Sequence, residues 1–247
     1  MRTERVRIGT MLTPVSRRRP WKLAGETVTL DHLSGGRLML SVGLGATDTG
    51  FAEFGEETDR RIRAELLDEG LDILTGLWRS QPFNYTGKHY QVRETSFMPS
   101  PPPIQSPRIP IWVAGLWPSA KSMRRVIRYE GLLPLKKNDN ENFTGLTPAD
   151  VREAKAYVEE QHVETTPFDI VMEGETPGDD LERAAAVVQP LAESGVTWWL
   201  EKMWSPPNEP EDMRAPAARS APPRLGEQSS TDSGDAAEPG AGASMVS

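Results

Sequence analysis

From Val6 to Leu200, short apolar runs take turns with longer stretches whose apolar residues recur every third or fourth position. Val6-Arg7-Ile8-Gly9-Thr10-Met11-Leu12 predicts a first strand. Pro20 then opens a helix to about Leu33, with Leu23, Ala24, Thr27, Val28 and Leu30 on its buried face. Ser34-Gly35-Gly36 stops that helix, because glycine accepts the left-handed turn that follows one. Leu38 to Val42 is the next strand. Thr58 or Asp59 caps a long helix to about Trp78, whose stripe of Ile62, Leu66, Leu67, Leu71, Ile73, Leu74, Leu77 and Trp78 belongs in a core. Phe83 to Val92 reads as a hairpin around Gly87, and Pro99 to Pro110 as an extended return.

The second half repeats the alternation. Ile111 to Ala114 is a strand that runs into a glycine turn at Gly115, and Ser119 to Tyr129 is a helix. Gly131 to Leu135 follows as a strand, then a helix from Thr147 to about Gln161 with proline in its first turn. Phe168 to Met172 is a strand, and a helix from Asp179 or Asp180 runs to Ser194, kinked or broken at Pro190. Val196 to Leu200 is the last strand. Six strands alternating with helices predict a parallel sheet. A closed barrel of this kind needs eight strands, so six leave an open sheet, a partial barrel or a barrel short of two units. The expected class is therefore α/β, an incomplete TIM barrel with a hairpin excursion.

Composition divides the chain in two. From Ser205 to Ser247 it is dominated by Pro, Ala, Ser, Gly, Glu and Asp, too poor in large apolar residues to offset its ordering entropy. The fold is expected in residues 1–204 and a disordered tail in 205–247. A net charge of −8 gives no basic excess, which argues against nucleic-acid binding. The run Arg17-Arg18-Arg19 reads as a solvated loop or as a site for an acidic cofactor tail. With no cysteine there is no disulfide, thiolate ligand or cysteine nucleophile, in keeping with a reducing cytoplasm. No apolar run is long enough to span a bilayer, and Met1-Arg2-Thr3-Glu4-Arg5 lacks a secretory core. The three histidines His32, His89 and His162 do not have metal-site spacing, and no nucleophile triad is visible.

Two strand–glycine units carry the chemistry: Val42-Gly43-Leu44-Gly45 and Val113-Ala114-Gly115-Leu116. Backbone amides of a glycine loop leading into a helix point at an anion without needing a charged side chain. An ordinary tight βα turn is the alternative.

Arg7-Ile8-Gly9-Thr10, Thr29 to Arg37, Val42 to Gly45 with Glu53-Phe54-Gly55, Leu67 to Leu74, Gly87-Lys88-His89-Tyr90, and Pro107 to Gly115 stand in one order and spacing. In these the chain resembles the luciferase-like flavin-dependent oxidoreductases, the family of bacterial luciferase, flavin monooxygenases and deazaflavin-dependent reductases. The resemblance covers about Arg5 to Trp204 and stops short of the tail. It implies a (β/α)8 barrel with an excursion after the fourth helix, where the hairpin lies, and a chain that begins at the third barrel strand. The first two units, which in some members hold an active-site histidine and part of the flavin pocket, would then come from a partner chain or be missing by truncation. It further implies FMN or the deazaflavin coenzyme, redox chemistry on a small organic substrate, and a homo- or heterodimer. The alternative is a catalytically inert cofactor-binding or partner subunit. Sites in such barrels lie at the C-terminal ends of the strands. Thr10, Gly43 and Gly45 are accordingly expected at the cofactor, and the amides of Ala114, Gly115 and Leu116 with the Ser119 hydroxyl at its phosphate. Some luciferases carry an arginine where this chain has Leu44. Asp48 reads as a capped or solvated loop carboxylate, with a substrate contact as the alternative; Trp198, Trp199, Glu201 and Trp204 read as a partly buried aromatic wall, with stacking near the flavin as the alternative; and no catalytic residue is assigned.

Overall fold

The computed structural model describes residues 3–79, 81–96, 101–140, 142–162, 166–178 and 180–202. Six parallel strands curl into a half-barrel in the order β1-β3-β6-β7-β9-β10. These are β1 (Ile8–Gly9), β3 (Leu38–Gly43), β6 (Ile111–Trp117), β7 (Gly131–Lys137), β9 (Asp169–Gly174) and β10 (Trp198–Glu201). Two short strands lie beside that path: β2 (Thr13–Pro14), parallel to β3, and β8 (Phe143–Thr144), antiparallel to β7. A separate hairpin pairs β4 (Phe83–Thr86) with β5 (Gln91–Thr95).

The helices are α1 (Pro20–Ser34), α2 (Arg60–Arg79), α3 (Ala120–Val126), α4 (Pro148–Gln161) and α5 (Leu181–Ser194). Their ends follow local chemistry. Pro20 sits in the first turn of α1, and Gly35, at φ 66°, returns its amide to the Asp31 and His32 carbonyls. Asp59 Oδ1 accepts from the Arg61 and Ile62 amides at 2.9 Å and starts α2. Thr147 and Asp150 close a reciprocal capping box on α4.

Strand alternation separates two apolar layers. Leu38, Leu40, Val42, Ile111, Val113, Leu132, Ile170 and Met172 face the helices, where they meet Leu23, Leu67, Leu71, Leu74 and Met123. Met39, Trp112, Leu133 and Val171 form the inner layer, with Ala114, Trp198 and Leu200 against it. No described helix is long and apolar enough to cross a membrane.

Four expectations need correction. The first strand is not one run: β1 and β2 both follow β3, and residues 10–12 leave the ladder between them. The strand expected to end at Ala114 continues through Gly115 to Trp117, paired with β7 from Trp112 to the end, so there is no turn at Gly115. Helix α3 stops at Val126 rather than Tyr129, because the last amides close back three residues, Arg128 to Arg125 and Tyr129 to Val126. Helix α5 passes through Pro190 without a break. Pro190 and Ala186, whose carbonyl loses its helical donor, are both exposed, so the freed oxygen lies on the solvent side of the helix. The small strand β8 has no counterpart in the sequence reading. Asp179, Trp204 and the tail 205–247 lie outside the described residues.

Candidate functional site at the strand mouth

The C-terminal ends of the parallel strands gather Thr10 to Thr13, Gly43 to Gly45, Leu116 to Ser119, Leu135 to Lys137, Glu173 and Leu200 to Lys202. By alternation with the inner layer, Gly43, Ala114, Leu116, Leu135, Glu173 and Leu200 face the barrel interior. Most of that rim is apolar. Glu173 is its inward carboxylate, and it pairs with Lys202 at 3.5 Å.

Thr10 is exposed. Its Oγ1 donates to the Ser41 carbonyl at 3.2 Å and accepts from Thr13 Oγ1 at 2.9 Å. Gly43 is buried at the end of β3, where a Cβ would stand 3.0 Å from the Ala114 methyl and 3.1 Å from Leu12 Cδ2. Gly43 and Ala114 are thus neighbours, and the Leu12 side chain fills the space that a side chain at Gly43 would take. Gly45, at φ 75°, is wedged against Pro14 and Phe51.

Gly115 points the other way. A Cβ there would lie 2.7 Å from both Leu132 Cδ1 and Val126 Cγ2, so the missing side chain lets α3 and β7 approach. The Leu116 amide donates to Ser122 Oγ at 2.9 Å. Ser119 is the N-cap of the seven-residue α3 and accepts from the Ser122 amide. The structure therefore brings Gly43, Ala114 and Leu116 to one inner rim, sets Gly115 on its outer side, and leaves Thr10 exposed after β1, bonded to the Ser41 carbonyl.

The loop after β3 is clasped by arginines. Arg63, in the first turn of α2, is 6% exposed and donates from Nη1 to the Leu44 and Gly45 carbonyls at 2.9 and 3.0 Å. Its guanidinium stands 5.1 Å from the ring of Phe51, and that of Arg17 stands 4.5 Å from the same ring. Arg17 also pairs with Glu56 and donates to the Thr49 carbonyl. Arg18 pairs with Glu26, and Arg19 lies 6.0 Å from the Trp21 ring. The basic run is therefore built into local contacts, Arg17 in the loop and the other two at the start of α1. Asp48 is exposed. Trp198 faces inward against Trp112, with centroids 5.4 Å apart, whereas Trp199 packs on the helix side and donates to Glu201.

Sequence reasoning missed Arg63. A signal for it exists: Arg63 stands four residues before Leu67 and so heads the stripe Leu67, Leu71, Leu74, where an apolar residue would be expected. The motif Gly87-Lys88-His89-Tyr90 acquires a structural role. Glu69 of α2 accepts from the Lys88, His89 and Tyr90 amides at 2.8 to 3.1 Å, and a Cβ at Gly87 would collide with that carboxylate. Glu65 takes Lys88 Nζ and His89 Nε2, and these hydrogen bonds hold its carboxyl down to about 2. At the end of β7, Lys136 pairs with Asp150 at 2.6 Å and lowers that carboxyl too.

Residues that would suit a flavin's phosphate are present. The amides of Gly45 and Ala46 donate to no acceptor among the described residues, and a glycine in the left-handed region presents successive amides to one side.

Comparison with known proteins converges on one family. Over 144 residues the chain is 31% identical to an F420-dependent glucose-6-phosphate dehydrogenase of Microbacterium testaceum, covering 58% of this chain and 41% of that one. Over 119 residues it is 30% identical to the oxygenase component of a flavin-dependent trigonelline monooxygenase of Acinetobacter baylyi, covering 48% and 32%. The matches thus span less than half the length of these relatives. In fold it is similar to an F420-dependent secondary alcohol dehydrogenase solved with an F420–acetone adduct, at a TM-score of 0.65, 15% identity, and 81% and 74% coverage of the two chains. The family model described as luciferase-like monooxygenase matches residues 1–238, running past the point where the sequence resemblance stopped. The chain belongs to the luciferase-like monooxygenase family of flavin- and F420-dependent oxidoreductases.

Proposed function

We propose that this chain binds FMN or the deazaflavin coenzyme at the mouth of β3 and β6 and serves a redox reaction on a small organic substrate. The observation that carries the reading is the pair of unengaged amides of Gly45 and Ala46 in the loop that leaves β3 at the strand mouth. Thr10, Gly43, Ala114 and Leu116 are the candidate ring contacts. Gly45 and the Ser119 hydroxyl are the candidate phosphate contacts. Gly115 acts through packing, by letting β6 sit close to α3. When bound, the cofactor would supply hydride transfer or dioxygen activation. The chain's own residues would hold and orient it, and the apolar side chains Leu12, Leu116, Leu135 and Leu200 would keep water from the ring. Absence of cysteine supports a reducing, cytoplasmic setting, and the exposed edges β1 and β10 support association with a second chain.

The test is an anaerobic titration of the full chain with reduced FMN and with reduced F420, followed by fluorescence and by a turnover screen on alcohols, aldehydes and ketones. Saturable binding with substrate-dependent reoxidation supports the oxidoreductase. Binding without turnover favours the inert cofactor-binding or partner subunit. Absence of saturable binding to either cofactor overturns the proposal.

A further inference from the structure

Glu173 is the charged member of an otherwise apolar inner rim, whose other inward positions are Gly43, Ala114, Leu116, Leu135 and Leu200. Its direction follows from alternation: Val171, two residues earlier, lies in the inner layer, and Met172 packs on the helix side. Lys202 follows the inward Leu200 by the same step, and its amide extends the ladder by donating to the Gly174 carbonyl at 2.8 Å. The two side chains therefore meet diagonally across β9 and β10 on the barrel side.

The contact between them is loose. Lys202 Nζ stands 3.5 Å from Glu173 Oε1, beyond the roughly 2.7–2.9 Å of a charge-assisted hydrogen bond, and the side chains are 34% and 28% exposed. It is also the single hydrogen bond or ion pair of the Glu173 side chain among the described residues. Glu201, on the helix side of β10, is its opposite. That carboxylate accepts from the Thr176 amide at 2.5 Å, from Thr176 Oγ1 at 2.8 Å and from the Trp199 indole at 3.0 Å, and so ties β10 to the chain after β9. The edge strand is thus held without the inner pair. The sheet also parts beside Glu173. The β7–β9 ladder consists of Gly131–Asp169 and Leu132–Ile170, whereas β6–β7 and β9–β10 run on to Lys136 and Glu201. At the mouth, Leu135 and Glu173 stand on strands that are no longer paired with each other.

A carboxylate accepts hydrogen bonds and an ammonium donates them. A ligand carboxylate would be repelled by Glu173, and a ligand ammonium by Lys202. A neutral hydroxyl suits both, donating to Glu173 and accepting from Lys202. Leu116, Leu135 and Leu200 around the pair suit hydrocarbon. We propose that Glu173 and Lys202 are the specificity-determining pair of the mouth and select a substrate with one neutral hydroxyl on an apolar body. That this ligand is then turned over rests on the function proposed above, whereas its recognition does not.

Three six-carbon probes test the pair without any cofactor. Hexan-1-ol, hexanoate and hexylammonium are each titrated at neutral pH into the 15N-labelled full chain, in the native protein, in Glu173→Gln and in Lys202→Gln. In the native protein, hexan-1-ol is expected to shift the amides of Glu173, Gly174 and Lys202 and to bind about tenfold more tightly than either ion. Glu173→Gln should weaken hexan-1-ol and place hexanoate ahead of hexylammonium. Lys202→Gln should weaken it too and reverse the order of the two ions. A pair that merely tethered β10 would lose stability on substitution and leave the order unchanged. Equal affinities for the three probes, shifts centred elsewhere, or an order that the substitutions do not move overturn the proposal. Should one variant not fold, the other still decides, because each predicts its own sign. If hexan-1-ol is selected but neither FMN nor F420 binds, the pair keeps its role and the flavin reading falls. If a cofactor binds and turns over while the probes are not distinguished, the oxidoreductase reading stands and this proposal falls.

Discussion

A methyl group on Gly115 would stand 2.7 Å from both Leu132 and Val126, inside contact distance of two buried side chains. Overpacking of this kind costs about 1–3 kcal/mol. Gly115→Ala should therefore lower the melting temperature, and, because the glycine faces the helices, it should do so without changing cofactor affinity by more than about twofold. Tyr129 shows the other kind of residue effect. The guanidinium groups of Arg108 and Arg128 stand 5.4 and 5.6 Å from its ring, and burial pushes its hydroxyl up to about 12. The folded value lies above the ordinary value of 10. The folded protein therefore keeps a proton that the unfolded chain gives up, and this contribution is intact below pH 10 and lost as pH rises toward 12. The hydroxyl has no hydrogen-bond partner. Tyr129→Phe should thus keep neutral-pH stability and move the alkaline unfolding limb upward in a pH-jump denaturation series. An unchanged alkaline limb would show that other groups control it.

At the scale of elements, the hairpin of β4 and β5 depends on a carboxylate cradle more than on its own two strands, since an isolated hairpin is marginal in water. Three consecutive amides converge on Glu69, and Glu65 holds the Lys88 and His89 side chains. Glu69→Ala is expected to remove about 1.5–3 kcal/mol of local stability, the range for a hydrogen-bonded charged acceptor. Hydrogen exchange at Lys88, His89 and Tyr90 should rise while α4 and β7 keep their protection. The Glu65 carboxyl, held near 2 against an ordinary 4.5, contributes above pH 4.5 and is lost as pH falls toward 2, so acid should release the Lys88 and His89 side chains from α2. The helices were legible because caps and periodicity agree: Asp59 for α2, Thr147 and Asp150 for α4, Gly35 for α1. The path of β6 was not. Glycine after an apolar run reads as a turn, and Gly115 proves to be a packing position in mid-strand. Arg63 escaped for the same reason, because burial of a charge is invisible until its partners are known. At the candidate site, sequence placed Thr10 and Gly43 just at strand ends, whereas Ala114 lies in the middle of β6, and which side of a strand each residue faces depended on a register that only the ladder fixes.

For the molecule as a whole, the open question is what fills the inside of a sheet that does not close around it. The inner layer answers with its own side chains. Met39, Trp112, Leu133 and Val171 are all buried, and Trp198 of the edge strand β10 leans over Trp112. Asp169 accepts from the Trp112 indole at 3.2 Å and also from Thr197 Oγ1. Two large rings close together replace the layered filling that facing strands provide in a complete barrel. If this is how the curl is held, Trp198 should matter more than a half-buried edge residue normally does. Trp198→Ala is expected to destabilise by about 2–3 kcal/mol, near the low end for a large aromatic, because the side chain is only partly buried. Loss of its cover should also move the emission of Trp112 to longer wavelength. Trp198→Phe keeps a ring over Trp112 and should recover most of the stability. An alanine variant that melts with the native protein would mean that the inner layer is filled from another source, such as a second chain laid across the same face.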